Sequence, residues 1–111
     1  MEIIFIETPH FVDKFEKIGS DSDMQRLQCE LLRDPLKGDV IKGTGGARKI
    51  RMSIARKGKS GGARVIYYYV NLHGEIWFLD IYLKSSQSDL SEAQKKRFNK
   101  FIQETIHGSF E

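Results

Sequence analysis

The chain has 111 residues, of which 40% are hydrophobic and 30% charged, a composition typical of a globular domain and not of a disordered chain. It has one cysteine, which excludes an internal disulfide, and no apolar stretch as long as the ~20 residues that span a membrane. Lysine and arginine number 18 against 15 aspartates and glutamates, so the net charge is only +3. We therefore expect one cytoplasmic domain over residues 1–111, with a thin core and part of its sheet uncovered.

The first third of the chain predicts a strand followed by a helical hairpin. Residues 2–7 are β-branched and aromatic, as in a strand. Apolar residues recur at helical spacing in 9–18 and 21–33, and the second segment ends at Asp34-Pro35. We expect both helices to pack on one face of a sheet, with Cys29 as a small buried residue. The packing stripes comprise Phe11, Phe15 and Ile18 in the first helix and Met24, Leu27, Leu31 and Leu32 in the second.

The rest of the chain predicts three strands and a final helix. Strands are expected over 48–54, 64–70 and 75–84, and Ser91 with Gln94 forms a capping box for a helix to about Ile106. The order β-α-α-β-β-β-α predicts an α+β fold: an antiparallel sheet with the first strand added at one side, two N-terminal helices on one face and a basic opposite face. Alternation places Trp77, Leu79, Ile81 and Leu83 on one face of the last strand, and helical spacing makes Phe98, Phe101, Ile102 and Thr105 the buried stripe of the last helix.

The distribution of charge is the feature that points to a partner. From Val40 to Gly74 there is no acidic residue, whereas the rest of the chain carries ten basic and fifteen acidic residues. A segregated positive field attracts a polyanion, and nucleic acid is the first candidate. The alternative is a solvated basic surface without a partner. The basic residues of the segment are Lys42, Arg48, Lys49, Arg51, Arg56, Lys57, Lys59 and Arg64.

The residue types favour cationic chemistry on RNA or DNA. One cysteine and three scattered histidines form no metal-ligand pattern, and the glycine-rich run at 43–46 lacks the ending of a phosphate-binding loop, so we expect neither metal nor cofactor. Arginine can neutralise a phosphorane-like transition state, and a lysine among other cations can act as a base. RNA supplies its own nucleophile, the 2′-OH.

The sequence resembles the RelE/HigB-like toxins of bacterial type II toxin–antitoxin systems. The residues that carry the resemblance are the run from Gly38 to Arg51, the run from Lys57 to Tyr68, and Asp80 to Lys84 followed by Ser88-Asp89-Leu90. The resemblance implies a small toxin that cleaves mRNA, in many relatives at the ribosome. It also implies a cognate antitoxin, with operator DNA bound only through the toxin–antitoxin complex.

The resemblance also implies a set of catalytic residues. The family's catalytic cations match Lys49, Arg51, Arg64 and Lys84, with Tyr82 adjacent. Where some members carry an arginine after the last cation and a tyrosine near the last helix, this chain has Ser85 and Ser91, so the acid would be Lys84 or Tyr82. The expected RNA-binding residues are Lys42, Arg48, Arg56, Lys57 and Lys59.

Two other functions fit the same residues. A binding module of the same fold would hold RNA or the ribosome without cutting it, and would need Lys42, Lys57 and Lys59 but not Tyr82 or Lys84. A scaffold protein would use the basic face only to meet an acidic segment of another chain.

Overall fold

The computed structural model describes residues 2–54 and 62–110, which form a five-stranded sheet with helices on both sides. The elements follow the predicted order, with one additional two-residue strand before the first basic strand. None of the described helices is long and apolar enough to cross a bilayer. The elements are β1 (Ile4–Glu7), α1 (Pro9–Ile18), α2 (Asp21–Arg33), β2 (Asp39–Val40), β3 (Arg48–Ser53), β4 (Gly62–Val70), β5 (Glu75–Leu83) and α3 (Glu92–Phe101), which continues as a π turn (Ile102–Ile106) and a 3₁₀ turn (His107–Phe110).

Side-chain caps set the helix boundaries. The Thr8 side chain accepts from the Phe11 N–H at the start of α1, where Pro9 lacks a donor of its own. Ser20 begins α2 in a capping box with Asp23, and Ser91 begins α3 in the predicted box with Gln94. Because these oxygens satisfy amides that have no partner within the helix, the helices begin where the sequence predicted.

The sheet is mixed, with strand order β1-β5-β4-β3-β2. The strands β3, β4 and β5 pair antiparallel, as predicted, and the unpredicted β2 pairs antiparallel with β3. As predicted, β1 is added at one side, beside β5. However, β1 runs parallel to β5. A tight hairpin imposes antiparallel pairing, but β1 and β5 are joined by most of the chain, so their relative direction is not fixed in that way.

A β-bulge in β5 changes which side chains face each helix layer. Ile66 pairs with Asp80 and Tyr67 with Phe78, so Leu79 is the extra residue. Leu79 therefore packs beside Trp77 under α3, while Ile81 turns toward α1 and α2. The sequence predicted that strict alternation would place Trp77, Leu79, Ile81 and Leu83 on one face. That prediction was wrong because the bulge puts Trp77 and Leu79 on the α3 face and turns Ile81 and Leu83 toward α1 and α2.

Each face of the sheet buries its own core. The core under α1 and α2 contains Phe11, Phe15, Leu27, Leu31, Val65, Tyr67 and Phe78. The core under α3 contains Ile66, Leu79, Tyr82, Leu90, Phe98, Ile102 and Ile106. The face opposite α1 and α2 is therefore largely covered, and its basic residues occupy only the end beyond α3.

Three residues predicted to be buried are exposed, namely Leu32, Cys29 and Thr105. Leu32 lies about 100° around the helix from Leu31, so only one of the two faces the core. In the last turns Ile106 is buried in place of Thr105, where the helix widens into its π turn.

Candidate nucleic-acid interface

Three residues form a row across one end of the sheet, and α3 covers only the last of them, Tyr82. Arg51 of β3 pairs with Arg64 of β4, and Arg64 pairs with Tyr82 of β5. Directly paired residues place their side chains on the same face at about 5 Å from Cβ to Cβ. The strand register, which the sequence alone does not reveal, therefore brings these three predicted site residues together.

Lys84 completes a cationic cleft with Arg51 and Arg64. The cleft has a volume of about 420 Å³, and these three residues line it together with residues 52–54 and Gly62. The Lys84 N–H donates to the Gly62 carbonyl at 3.0 Å, which fixes the end of β5 beside the start of β4. Among the described residues, no acidic side chain pairs with Arg51, Arg64 or Lys84. The cleft thus offers three donors to an anion.

Lys49 lies on the same face of β3 but has an acidic partner. Its Nζ is 3.6 Å from Oδ1 of Asp89, in the loop between β5 and α3. The Leu90 N–H donates to the same oxygen and lowers the pKa of Asp89, and the positive charges of Lys49 and Lys95 lower it further. The Lys49–Asp89 pair lies partly open to water, with side-chain exposures of 30% and 61%.

Tyr82 is buried beneath the loop and α3 rather than displayed on the surface. Only 4% of the residue is exposed, and its hydroxyl has no hydrogen-bond partner among the described residues. Burial raises the pKa of the Tyr82 hydroxyl, the charge of Asp89 raises it further, and Arg64 lowers it. Stacking of this ring on a base would require the loop at 84–91 to move.

Lys42 and Arg48, the two predicted RNA contacts among the described residues, do not line the cleft. Lys42 is exposed in the turn before β3, at the opposite end of that strand. Arg48 donates to the carbonyl oxygens of Gly38 at 2.7 Å and Leu36 at 3.2 Å, and so holds the link between α2 and β2. The other three predicted contacts, Arg56, Lys57 and Lys59, lie outside the described residues.

Asp89 is the residue of this surface to which sequence reasoning gave no role. It stands 40 positions after Lys49, and only the folded sheet brings the two together. Its one sequence cue is its place directly before Leu90 and the cap at Ser91, where a short loop anchored by an apolar residue has a fixed path. Within residues 2–54 and 62–110, no group of three His, Cys, Asp or Glu side chains could hold a metal ion.

Comparison with known proteins identifies the fold. No protein-family model matches the chain. Among solved structures, a double arginine-to-alanine mutant of the E. coli toxin RelE in the free state superimposes with a TM-score of 0.56 over 79% of this chain and 90% of that chain. The two sequences are 14% identical, so the likeness concerns the fold. The predicted α+β, RelE-like fold is thereby confirmed.

Proposed function

We propose that this chain is the toxin of a type II toxin–antitoxin system, an endoribonuclease that cleaves mRNA at the ribosome and is silenced by a cognate antitoxin. The observation that carries the proposal is the convergence of three cations on one cleft without an acidic partner among the described residues: Arg51 of β3, Arg64 of β4 and Lys84 directly after β5. A phosphodiester is the anion that such a fork of donors suits.

The proposed reaction uses the RNA's own ribose. The 2′-oxygen attacks the adjacent phosphorus and loses its proton, the bond from phosphorus to the 5′-oxygen breaks, and that oxygen takes a proton. The products are a 2′,3′-cyclic phosphate and a 5′-hydroxyl. No external oxidant, reductant or metal enters this balance.

The residues of the cleft divide this work by position. Arg64 occupies the middle of the row and stabilises the charge that builds on the non-bridging oxygens. Arg51 and Lys49 orient the 2′-OH from β3, and one of them assists removal of its proton. Lys84 donates to the leaving oxygen, since the Tyr82 hydroxyl is buried below. Lys42 and Arg48, with the cations at 56, 57 and 59, extend the contact to neighbouring phosphates.

One observation favours a second function, a module that binds RNA or the ribosome without cutting. The charged side chains that line the cleft are all donors, and the nearby carboxylate of Asp89 is paired with Lys49. Catalysis needs a group that accepts the 2′-OH proton, whereas binding does not. The two functions differ in whether new RNA ends form.

Replacement of Arg64 tests the proposal. We expect Arg64→Ala to abolish growth inhibition and the new mRNA 5′ ends that the wild type produces, because one transition-state donor is worth about 100-fold or more in rate. Arg97→Ala is the matched control, since Arg97 is exposed on α3 and lines a different groove, beside Thr8 and His10. Growth would be scored after induction, 5′ ends mapped by sequencing, and folding checked by circular dichroism.

Full toxicity of the Arg64→Ala protein would contradict the assignment of the cleft. Growth inhibition by the wild type with an unchanged profile of mRNA ends would favour the binding module instead. Release of inhibition when the adjacent reading frame is co-expressed would support the toxin–antitoxin pairing.

A further inference from the structure

The loop between β5 and α3 places one carboxylate, that of Asp89, at the edge of the cationic surface, which consists of the cleft and the neighbouring Lys49. Asp89 approaches Lys49 to 3.6 Å and is close enough to Tyr82 to affect the titration of its hydroxyl. It is the acidic residue that pairs with a predicted catalytic cation among the described residues, since Arg51, Arg64 and Lys84 have no such partner there. The charge of Lys49 is therefore partly compensated before any ligand arrives.

Hydrogen bonds on both sides hold this loop in place. Gln87 Nε2 donates to the Asp89 carbonyl at 2.8 Å and to Gln94 Oε1 at 2.9 Å. The same Gln94 oxygen accepts from the Ser91 N–H at 2.8 Å, as part of the capping box of α3. Leu90 is 6% exposed and packs in the core under α3. The path of the loop is thus fixed by its neighbours rather than by the pair with Lys49.

The carboxylate resembles the ligand that the surface is built to hold. A carboxylate and a phosphodiester both present an oxygen anion to an ammonium group, and the two cannot occupy the same side of Lys49 together. A fixed negative charge beside the path of the RNA also repels its phosphates over several ångström. Both effects oppose binding of RNA at Lys49.

We infer that Asp89 is an internal competitor of the RNA backbone, which holds Lys49 in the free protein and is displaced when a phosphate binds there. This inference rests on the proposed function, because it supposes that RNA binds the cationic cleft. Asp89 then determines how tightly RNA is held at the β3 side of the surface. It sets affinity through Lys49 and takes no part in the chemistry at Arg64.

The test compares two variants that lose the same charge in the same segment. Asp89→Asn keeps an oxygen for the Leu90 N–H but cannot neutralise Lys49. The matched control is Glu92→Gln, because Glu92 is exposed and pairs with Lys95 at 3.3 Å instead. The probe is a single-stranded RNA with 2′-O-methyl riboses, which cannot be cleaved, and the dissociation constant is measured by fluorescence anisotropy at several salt concentrations.

We expect Asp89→Asn to bind the probe about two- to fivefold more tightly than the wild type, the range open to a solvent-exposed ion pair. Glu92→Gln should change affinity less, and the gain from Asp89→Asn should shrink as salt rises. The gain in RNA affinity from Asp89→Asn should vanish when Lys49→Gln is already present, because the Asp89 carboxylate then has no ammonium group to pair with. That double-variant result separates an effect through Lys49 from general repulsion.

The possible failures are distinguishable. If the wild type binds RNA and Asp89→Asn binds no better than Glu92→Gln, the inference is overturned while the proposed function stands. If the gain persists unchanged in the Lys49→Gln background, Asp89 acts by repulsion alone and the competitor role is wrong. If neither the wild type nor any variant binds the probe, the inference fails, whereas the proposed function is decided separately by the mapped mRNA ends.

Discussion

At the scale of single residues, Tyr67 shows how one side chain positions the basic strands. It is fully buried in β4, and its hydroxyl donates to the Pro35 carbonyl at 2.8 Å and accepts from the Gly38 N–H at 2.9 Å. These two bonds attach the link between α2 and β2 to the centre of the sheet. Gly38 sits so close to the Tyr67 ring that a Cβ at that position would lie 2.8 Å from a ring carbon.

Tyr67 also makes the free energy of unfolding fall at alkaline pH. Burial raises the pKa of its hydroxyl above the ordinary value of about 10, while the bond from Gly38 lowers it. The folded state therefore keeps the proton longer than the unfolded chain does. The stability from the neutral hydroxyl is fully present below the unfolded pKa and is lost as pH rises through the folded one.

We expect the free energy of unfolding of the wild type to fall above pH ~10, and Tyr67→Phe to fall less steeply, because a phenylalanine has no proton to lose. The variant should also be less stable at neutral pH by about 1–3 kcal/mol, since the buried Gly38 N–H loses its acceptor. Urea unfolding between pH 7 and 11 measures both effects. Tyr69→Phe is the matched control, because that hydroxyl bonds an exposed site at Asn71; an equal change there would contradict the role of Tyr67.

At the scale of elements, α3 determines how much of the sheet remains open. Ile102 and Ile106, in the π turn that continues α3, are fully buried against β4 and β5, although they lie far from the basic run in sequence. We expect Ile102→Ala to destabilise the fold by about 2–5 kcal/mol through the cavity it leaves. Ile4→Ala is the matched control, because Ile4 is 59% exposed, and should cost less than about 0.5 kcal/mol.

Urea or thermal unfolding of both variants measures this difference. Equal losses for Ile102→Ala and Ile4→Ala would mean that α3 does not pack on the sheet as described. The cationic surface would then be wider than the cleft, and the loop that carries Asp89 would lose its anchor at Leu90.

The elements differ in how well the sequence predicts them. α1 and α2 are correct to the residue because caps and stops are local, as at Thr8 and Ser20. The bulge at Leu79 is not predictable, because no glycine or proline marks it and the alternation of β5 looks regular. The π turn after Phe101 has no local marker either, and it is there that Ile106 rather than Thr105 is buried.

The candidate site was predictable in residue type but not in assembly. Local sequence shows that Lys49 and Arg51 share a face of β3, because side chains alternate along a strand. The pairing of Arg51 with Arg64 and of Arg64 with Tyr82 depends on the register of three strands. The burial of Tyr82 depends on α3, and the position of Asp89 on the loop that precedes it. These are contacts between residues far apart in the chain, and local patterns in a single sequence do not predict them.

At the scale of the whole molecule, charge and topology combine to make one end of the sheet cationic. The acid-free stretch from Val40 to Gly74 supplies β3 and β4, and Lys84, directly after β5, lies at the same end. The fifteen acidic residues all lie outside that stretch, so the molecule has a strong charge asymmetry despite its net charge of +3. In the proposed function, such a field steers the RNA toward the cleft and makes RNA binding depend on salt.

This asymmetry predicts how single charges affect the salt dependence of RNA binding. For single-stranded RNA, the slope of log K against log salt changes by about 0.7 for each phosphate that a cation neutralises. Arg51→Gln should therefore lower the steepness by about 0.7, whereas Arg97→Gln should leave it unchanged, because Arg97 lies in the groove between α1 and α3. Fluorescence anisotropy with the uncleavable RNA measures this slope over a salt range of about 50–300 mM, which brackets physiological ionic strength. Equal slopes for the two variants would mean that RNA binding depends only on the total charge of the protein. The RNA backbone would then not lie in the cleft formed by Arg51, Arg64 and Lys84.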